Sequence, residues 1–148
     1  MIINFKRLPH NHDLPLPTYA TEGAAGFDLR ACVMADTPTK LYHGVRIVIP
    51  TGFACAIPAG YELQIRPRSG LAIKNGVTVA NAPGTIDQDY RGEIMVCLVN
   101  FGDYIFPINR GDRIAQAVLA PVTRAIMVET LELDTTARGA GGFGSTGV

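Results

Sequence analysis

The chain has 148 residues, thirteen of them basic and thirteen acidic, so its formal net charge is zero. That length suits one domain burying roughly 68–70% of the surface its unfolded chain exposes, so folding needs no metal or disulfide staple. The balanced charge excludes a broad field that would draw in nucleic acid or a membrane, and any anionic ligand must be held by a local site.

Taken in chain order, the opening stretch MIINFKRLPHNHDLPLP has no continuous apolar run, which predicts no secretory leader. Within it, His10, His12 and Asp13 have a metal-like look, but a polar loop is the simpler reading. In GAAGFDLRA (23–31), Asp28 lies on the opposite face of a strand from Phe27 and Leu29. In VRIVI (45–49), Val45, Ile47 and Ile49 share a face; His43 before it is a turn residue beside Gly44. GFACAI (52–57) sits between PTG and PAG, both read as turns. YELQIR (61–66) alternates Tyr61, Leu63 and Ile65 against Glu62, Gln64 and Arg66. SGLAIKN (69–75) is the best helix candidate, a single turn with Ser69 as a natural N-cap. Asn75-Gly76 between apolar runs signals a hairpin turn. IMVCLVN (94–100) is apolar on both faces and is expected to be buried on both, inside a sandwich or at a subunit contact. RIAQAVLAPV (113–122) and AIMVETLEL (125–133) are further strand candidates. The end, RGAGGFGSTGV (138–148), carries five glycines and is expected to be mobile when empty.

Short strands with frequent turns and no long amphipathic helix predict an all-β sandwich or barrel in one domain, 1–148. No stretch approaches eighteen apolar residues, so no bilayer-spanning helix is expected. Cys32, Cys55 and Cys97 are odd in number, distant and without CxxC spacing, which fits a reducing cytoplasm.

Four polar clusters exceed what turns and strand faces require. Asp28 is either an exposed strand carboxylate or a group near a metal's water shell. In RPRSGLA (66–72), Arg68, Ser69 and Gly70 offer a guanidinium, a hydroxyl and close backbone approach at a helix start, a plausible phosphate grip beside the reading of plain capping. In NAPGTIDQDYRGE (81–93), Asn81 carries both donor and acceptor for a base edge, Asp87 suits a general base, and Tyr90 suits packing against a sugar. Asp89, Arg91 and Glu93 read equally well as solvated turn charges. In the tail, Phe143 alone among glycines, with Arg138, Ser145 and Thr146, reads as a cover with a stacking ring and phosphate donors, or as an ordinary Gly-rich terminus. There is no Walker loop and no GxGxxG after a strand.

Together these clusters resemble the trimeric, all-β deoxyuridine triphosphatases. The motifs AAGFDLRA (24–31), PRSGLA (67–72), NAPGTIDQDYRGE (81–93), RGDRIAQAV (110–118) and RGAGGFGSTG (138–147) match in order and span nearly the whole chain. The resemblance implies a distorted jelly-roll of the β-clip kind with a C-terminal arm, 137–148, that closes over the site. It implies a homotrimer with active sites shared between subunits, and Mg²⁺-assisted hydrolysis of dUTP to dUMP and pyrophosphate. Asp87 would activate the water. Asn81, with the backbone of Thr85 and Ile86, would read uracil, and Tyr90 would stack under the deoxyribose. Arg68, Ser69 and Gly70 would grip a neighbouring chain's phosphates, and Gln116 would hold the α-phosphate or the water. Asp28 would support the hydrated Mg²⁺. Arg138, Ser145 and Thr146 would close on the γ-phosphate, while Phe143 and Gly144 cover the nucleotide. The competing readings are a dCTP deaminase of similar fold and a silent nucleotide-binding β protein.

Overall fold

A computed structural model describes residues 1–142. Ten strands and one short helix follow one another along these residues. They are β1 (Asn4–Arg7), β2 (Phe27–Arg30), β3 (Thr39–Leu41), β4 (Arg46–Ala56), β5 (Tyr61–Arg66), α1 (Ser69–Asn75), β6 (Val77–Val79), β7 (Gly84–Ile86), β8 (Glu93–Asn100), β9 (Phe106–Ile108) and β10 (Arg113–Pro121). One sheet runs β1-β4-β8-β6, a second runs β2-β10-β5-β7, and β3 pairs with β9. Every pairing is antiparallel, as a jelly-roll sandwich requires. Among the described residues, no helix is long and apolar enough to cross a membrane.

The alternation visible in the sequence becomes burial. Leu63 and Ile65 on β5 and Phe27 and Leu29 on β2 point into one core with Ile49, Val96 and Leu98 of the facing sheet. Asp28, between Phe27 and Leu29, faces away from that core, as its position in the period-2 pattern demands. β8 keeps Ile94, Val96 and Leu98 wholly inside, but its other face is open at Met95, which is 41% exposed. Burial on both faces is therefore incomplete within one chain.

Three local readings need correction. PTG does not separate two strands: β4 runs straight through it, with a register shift between Pro50 and Ala54 and Gly52 at φ 74° absorbing the extra residues. Asn75-Gly76 is no hairpin turn. Gly76 ends α1 in the left-handed region (φ 68°, ψ 14°) and donates its N–H to the Ala72 carbonyl. Asn-Gly serves either device, because both need a residue at positive φ. The segment 125–133 forms no strand, and Ile126 and Leu131 are 92% and 102% exposed. Its composition suits a strand, but no edge within the described chain pairs with it.

HNHD is a built loop. Arg110 grips Asp13 (2.6 and 2.9 Å) and the Val33 carbonyl (2.8 Å), and buried Asn11 bridges the Gly52 carbonyl and the Leu14 N–H. The Arg110 guanidinium holds the Asp13 carboxyl below its ordinary value, chiefly through the side-chain hydrogen bond. His43 pairs with the Gly102 carbonyl at 2.9 Å, tying the turn before β4 to the loop after β8.

Candidate active site

The first polar cluster is assembled by β10. Its register sets Gln116 between Asp28 on β2 and Arg66 on β5. Asp28 Oδ1 pairs with Arg68 Nε at 3.0 Å, and Oδ2 accepts from Arg113 Nη1 at 3.2 Å. Arg68 also donates to the Arg113 carbonyl (3.0 Å), and Gln116 donates to the Pro67 carbonyl (2.9 Å), which anchors the strand leading into α1. Ser69 and Gly70 open α1 on the rim of the same concavity, about 280 Å³ in volume. Ser69 is not the N-cap. Arg68 holds that place with extended backbone (φ −93°, ψ 125°) and makes no side-chain cap bond. Two guanidinium groups thus hold one carboxylate in a concavity that Ser69 also lines, a constellation suited to an oxyanion that competes for the arginines. Arg113 escaped the sequence reading. The β10 irregularity between Arg113 and Ala115 brings it to Asp28, and no pattern in RIAQ announces that shift.

The second cluster runs from the turn after β6 through β7 to the turn before β8. β7 pairs with β5 through Gly84↔Ile65, Thr85↔Gln64 and Ile86↔Leu63. Gly84 is buried, and the Asn81 side chain lies over it: a Cβ at Gly84 would stand 3.2 Å from Asn81 Nδ2. Asn81, Thr85 and Asp87 are exposed. Asp87 lies just beyond β7 in a groove of about 680 Å³ shared with Glu62, Asp89 and Arg124. The Tyr90 N–H closes a turn on the Asp87 carbonyl (3.1 Å), and the Tyr90 hydroxyl donates to the Glu93 carbonyl (3.0 Å). Arg91 clamps the turn from outside through the Gln88 and Tyr90 carbonyls.

Of the turn charges, Glu93 is not solvated. Its Oε1 accepts the Gly52 N–H at 2.6 Å and meets His10 Nε2 at 3.0 Å. The cysteines stay outside this chemistry. Burial pushes the Cys32 and Cys55 thiols up, away from the thiolate form a nucleophile needs.

The two clusters do not meet within the chain. Asp87 stands level with the start of β5 and Arg68 lies beyond its end, which at 3.3 Å per residue separates them by roughly 15–20 Å. In the tail, Arg138 turns back onto the Gly141 carbonyl at 2.8 Å. Phe143, Gly144, Ser145 and Thr146 lie outside the described residues.

Comparison with known proteins fits this geometry. The chain is 62% identical over 148 residues, all of its length and 96% of the relative's, to a deoxyuridine 5'-triphosphate nucleotidohydrolase of Caulobacter vibrioides strain NA1000. It is 60% identical over 147 residues to the protein of the same name from Methylocella silvestris, covering 99% of this chain and 92% of that one. Its fold superposes on the Staphylococcus bacteriophage 80alpha dUTPase with dUPNHPP at a TM-score of 0.85, with 24% identity and 99% of each chain covered. The dUTPase family model matches residues 12–147, and the chain belongs to the dUTPase family.

Proposed function

We propose that the chain hydrolyses dUTP to dUMP and pyrophosphate, and that it does so as a homotrimer whose sites draw on more than one subunit. The observation that carries the second part is the distance between the Asp87 turn and the Arg68 cluster, too great for one triphosphate to touch both on one chain. A neighbouring copy would bring its Arg68, Ser69 and Gly70 to the phosphates. The exposed apolar run Ile126, Met127, Val128, Leu131 and Leu133 supports assembly, since so much apolar surface calls for a cover.

In this reading Asp87 takes a proton from water as its oxygen attacks the α-phosphorus. The bond from the α-phosphorus to the bridging oxygen breaks, and pyrophosphate leaves with that oxygen. A positioned base of this kind contributes about 10²–10⁴-fold. Asn81 and the backbone of Thr85 and Ile86 face the uracil edge, where a different edge would leave buried groups unpaired at about 1–3 kcal/mol each. Tyr90 lies under the sugar and excludes a 2′-hydroxyl. Gln116 orients the α-phosphate or the water. Arg138, Ser145 and Thr146 reach the γ-phosphate, with Phe143 and Gly144 covering the nucleotide.

Asp28 is one carboxylate facing two arginines, and among the described residues no group of three or more His, Cys, Asp or Glu could cage an ion. A single carboxylate suffices for Mg²⁺, which keeps several waters and arrives with substrate phosphates, once those phosphates draw the arginines off Asp28. Asp28 would hold its water shell, and the ion would neutralise phosphate charge. Unpaired, buried Cys32 and Cys55 fit a cytoplasmic site of action. The test is to supply Mg²⁺ with dUTP, dCTP, dTTP and UTP separately and assay pyrophosphate and ammonia. Pyrophosphate from dUTP alone is expected. Ammonia from dCTP would make the protein a deaminase, and bound dUTP without product would make it a silent binder.

A further inference from the structure

Glu93 stands where β8 begins, at the point where the β4–β8 ladder is broken. The pairing Pro50↔Met95 is regular, the register then shifts, and the next pair is Ala54↔Glu93. Across that gap the Glu93 side chain substitutes for the missing ladder bond: its Oε1 accepts the Gly52 N–H at 2.6 Å. The same oxygen meets His10 Nε2 at 3.0 Å. His10 is not free to wander, because its loop is fastened by Asn11 to the Gly52 carbonyl and by Asp13 to Arg110. On its main-chain side, Glu93 offers the carbonyl that accepts the Tyr90 hydroxyl at 3.0 Å. The ring folds over Gly92 so closely that a Cβ there would stand 2.6 Å from Tyr90 Cζ.

We infer that Glu93, clamped by the Gly52 N–H and His10, is a positioning residue that sets the attitude of the Tyr90 ring, and through it the choice between deoxyribose and ribose. The inference rests on the reading of Tyr90 as the surface under the sugar. The hydrogen-bonded chain from β4 to the ring is what makes the ring a fixed wall: a phenol that can swing leaves room for a 2′-hydroxyl.

The experiment compares kcat and KM for dUTP and UTP in the wild type, Tyr90→Ala, Glu93→Ala, Glu93→Gln and His10→Ala, with a thermal melt of each. Tyr90→Ala should lower the dUTP:UTP preference about tenfold or more. Glu93→Ala should lower it about three- to tenfold, the size of one lost hydrogen bond, through KM with kcat within about twofold. Glu93→Gln keeps an oxygen for the Gly52 N–H and should restore most of the preference. His10→Ala, at an exposed position, should lower it about threefold without moving the melt. An unchanged preference in folded Glu93→Ala, with the preference lost in Tyr90→Ala, overturns the inference. An unchanged preference in Tyr90→Ala overturns the reading of Tyr90 itself, and the inference with it. Should Glu93→Ala not fold, an unchanged preference in His10→Ala is the overturning result.

Discussion

Replacing Gly92 with alanine separates the position of Tyr90 from the stability of the fold. A Cβ at residue 92 would stand 2.6 Å from Tyr90 Cζ and 3.0 Å from Cε2. Normal contact between carbons is about 3.5–4.0 Å, so the ring must retreat by roughly an ångström. Gly92 is not among the glycines at positive φ, so alanine brings no backbone strain of that kind. The atoms in the way belong to the far end of a half-exposed ring, and they can move without disturbing the core. The fold loses at most the Tyr90–Glu93 hydrogen bond, about 0.5–1.5 kcal/mol. The stiffer unfolded chain returns about 0.4–1 kcal/mol of that. The melting temperature should therefore stay within about 4 °C of the parent. Activity should behave differently, since a 1 Å misplacement can cost about 10²-fold in kcat/KM. The assay is pyrophosphate release from dUTP and UTP beside a calorimetric melt. Unchanged dUTP kinetics would refute the placing of Tyr90 in the site. A melt lowered by 10 °C or more would show that the backbone, not the ring, gave way.

Asp87→Asn should abolish turnover while dUTP affinity, read by calorimetric titration, stays within about tenfold; near-normal turnover would remove Asp87 from the role of base. Gly76→Ala should destabilise by more than about 2 kcal/mol, combining the cost of positive φ with a Cβ driven into backbone. That Cβ would stand 2.6 Å from Gly102 Cα, so a denaturant midpoint matching the parent's would contradict the close approach of α1 to the 100–102 loop. Asp13→Asn tests the Arg110 clamp through pH. The folded carboxyl lies below its ordinary 3.8, so the pair stabilises above that value and its contribution is lost as pH falls through the folded one. The melting advantage of the parent over Asp13→Asn should be full at pH 7 and fade below about pH 4, and a constant gap would show that the pair is not the cause.

What the sequence discloses is what depends on neighbours in sequence. β2 and β5 are legible because period-2 alternation writes the buried face directly into the residue order. The Asp87–Tyr90 turn is legible because its polar density exceeds what a turn needs. The partners of Glu93 and Arg113 are not legible because they are remote: Gly52 lies 41 positions from Glu93, and Asp28 lies 85 from Arg113. Both contacts depend on a register shift, in β4 and in β10, and a single sequence carries no mark of where a ladder slips. The segment 125–133 failed for the complementary reason. Strand composition is local, whereas a strand exists only where an edge is free to receive it.

β10 lies between β2 and β5, which have no other shared neighbour in their sheet. During synthesis both are made long before it. At 5–20 residues per second, the stretch from Arg66 to Arg113 takes roughly 2–9 s to emerge. For that interval Phe27, Leu29, Leu63 and Ile65 wait with their final neighbour unmade, a window for chaperones or for misassociation between nascent chains. The strand that ends the wait also carries Gln116 between Asp28 and Arg66, so the Asp28–Arg68–Arg113 cluster comes into being in the same event that closes the sheet.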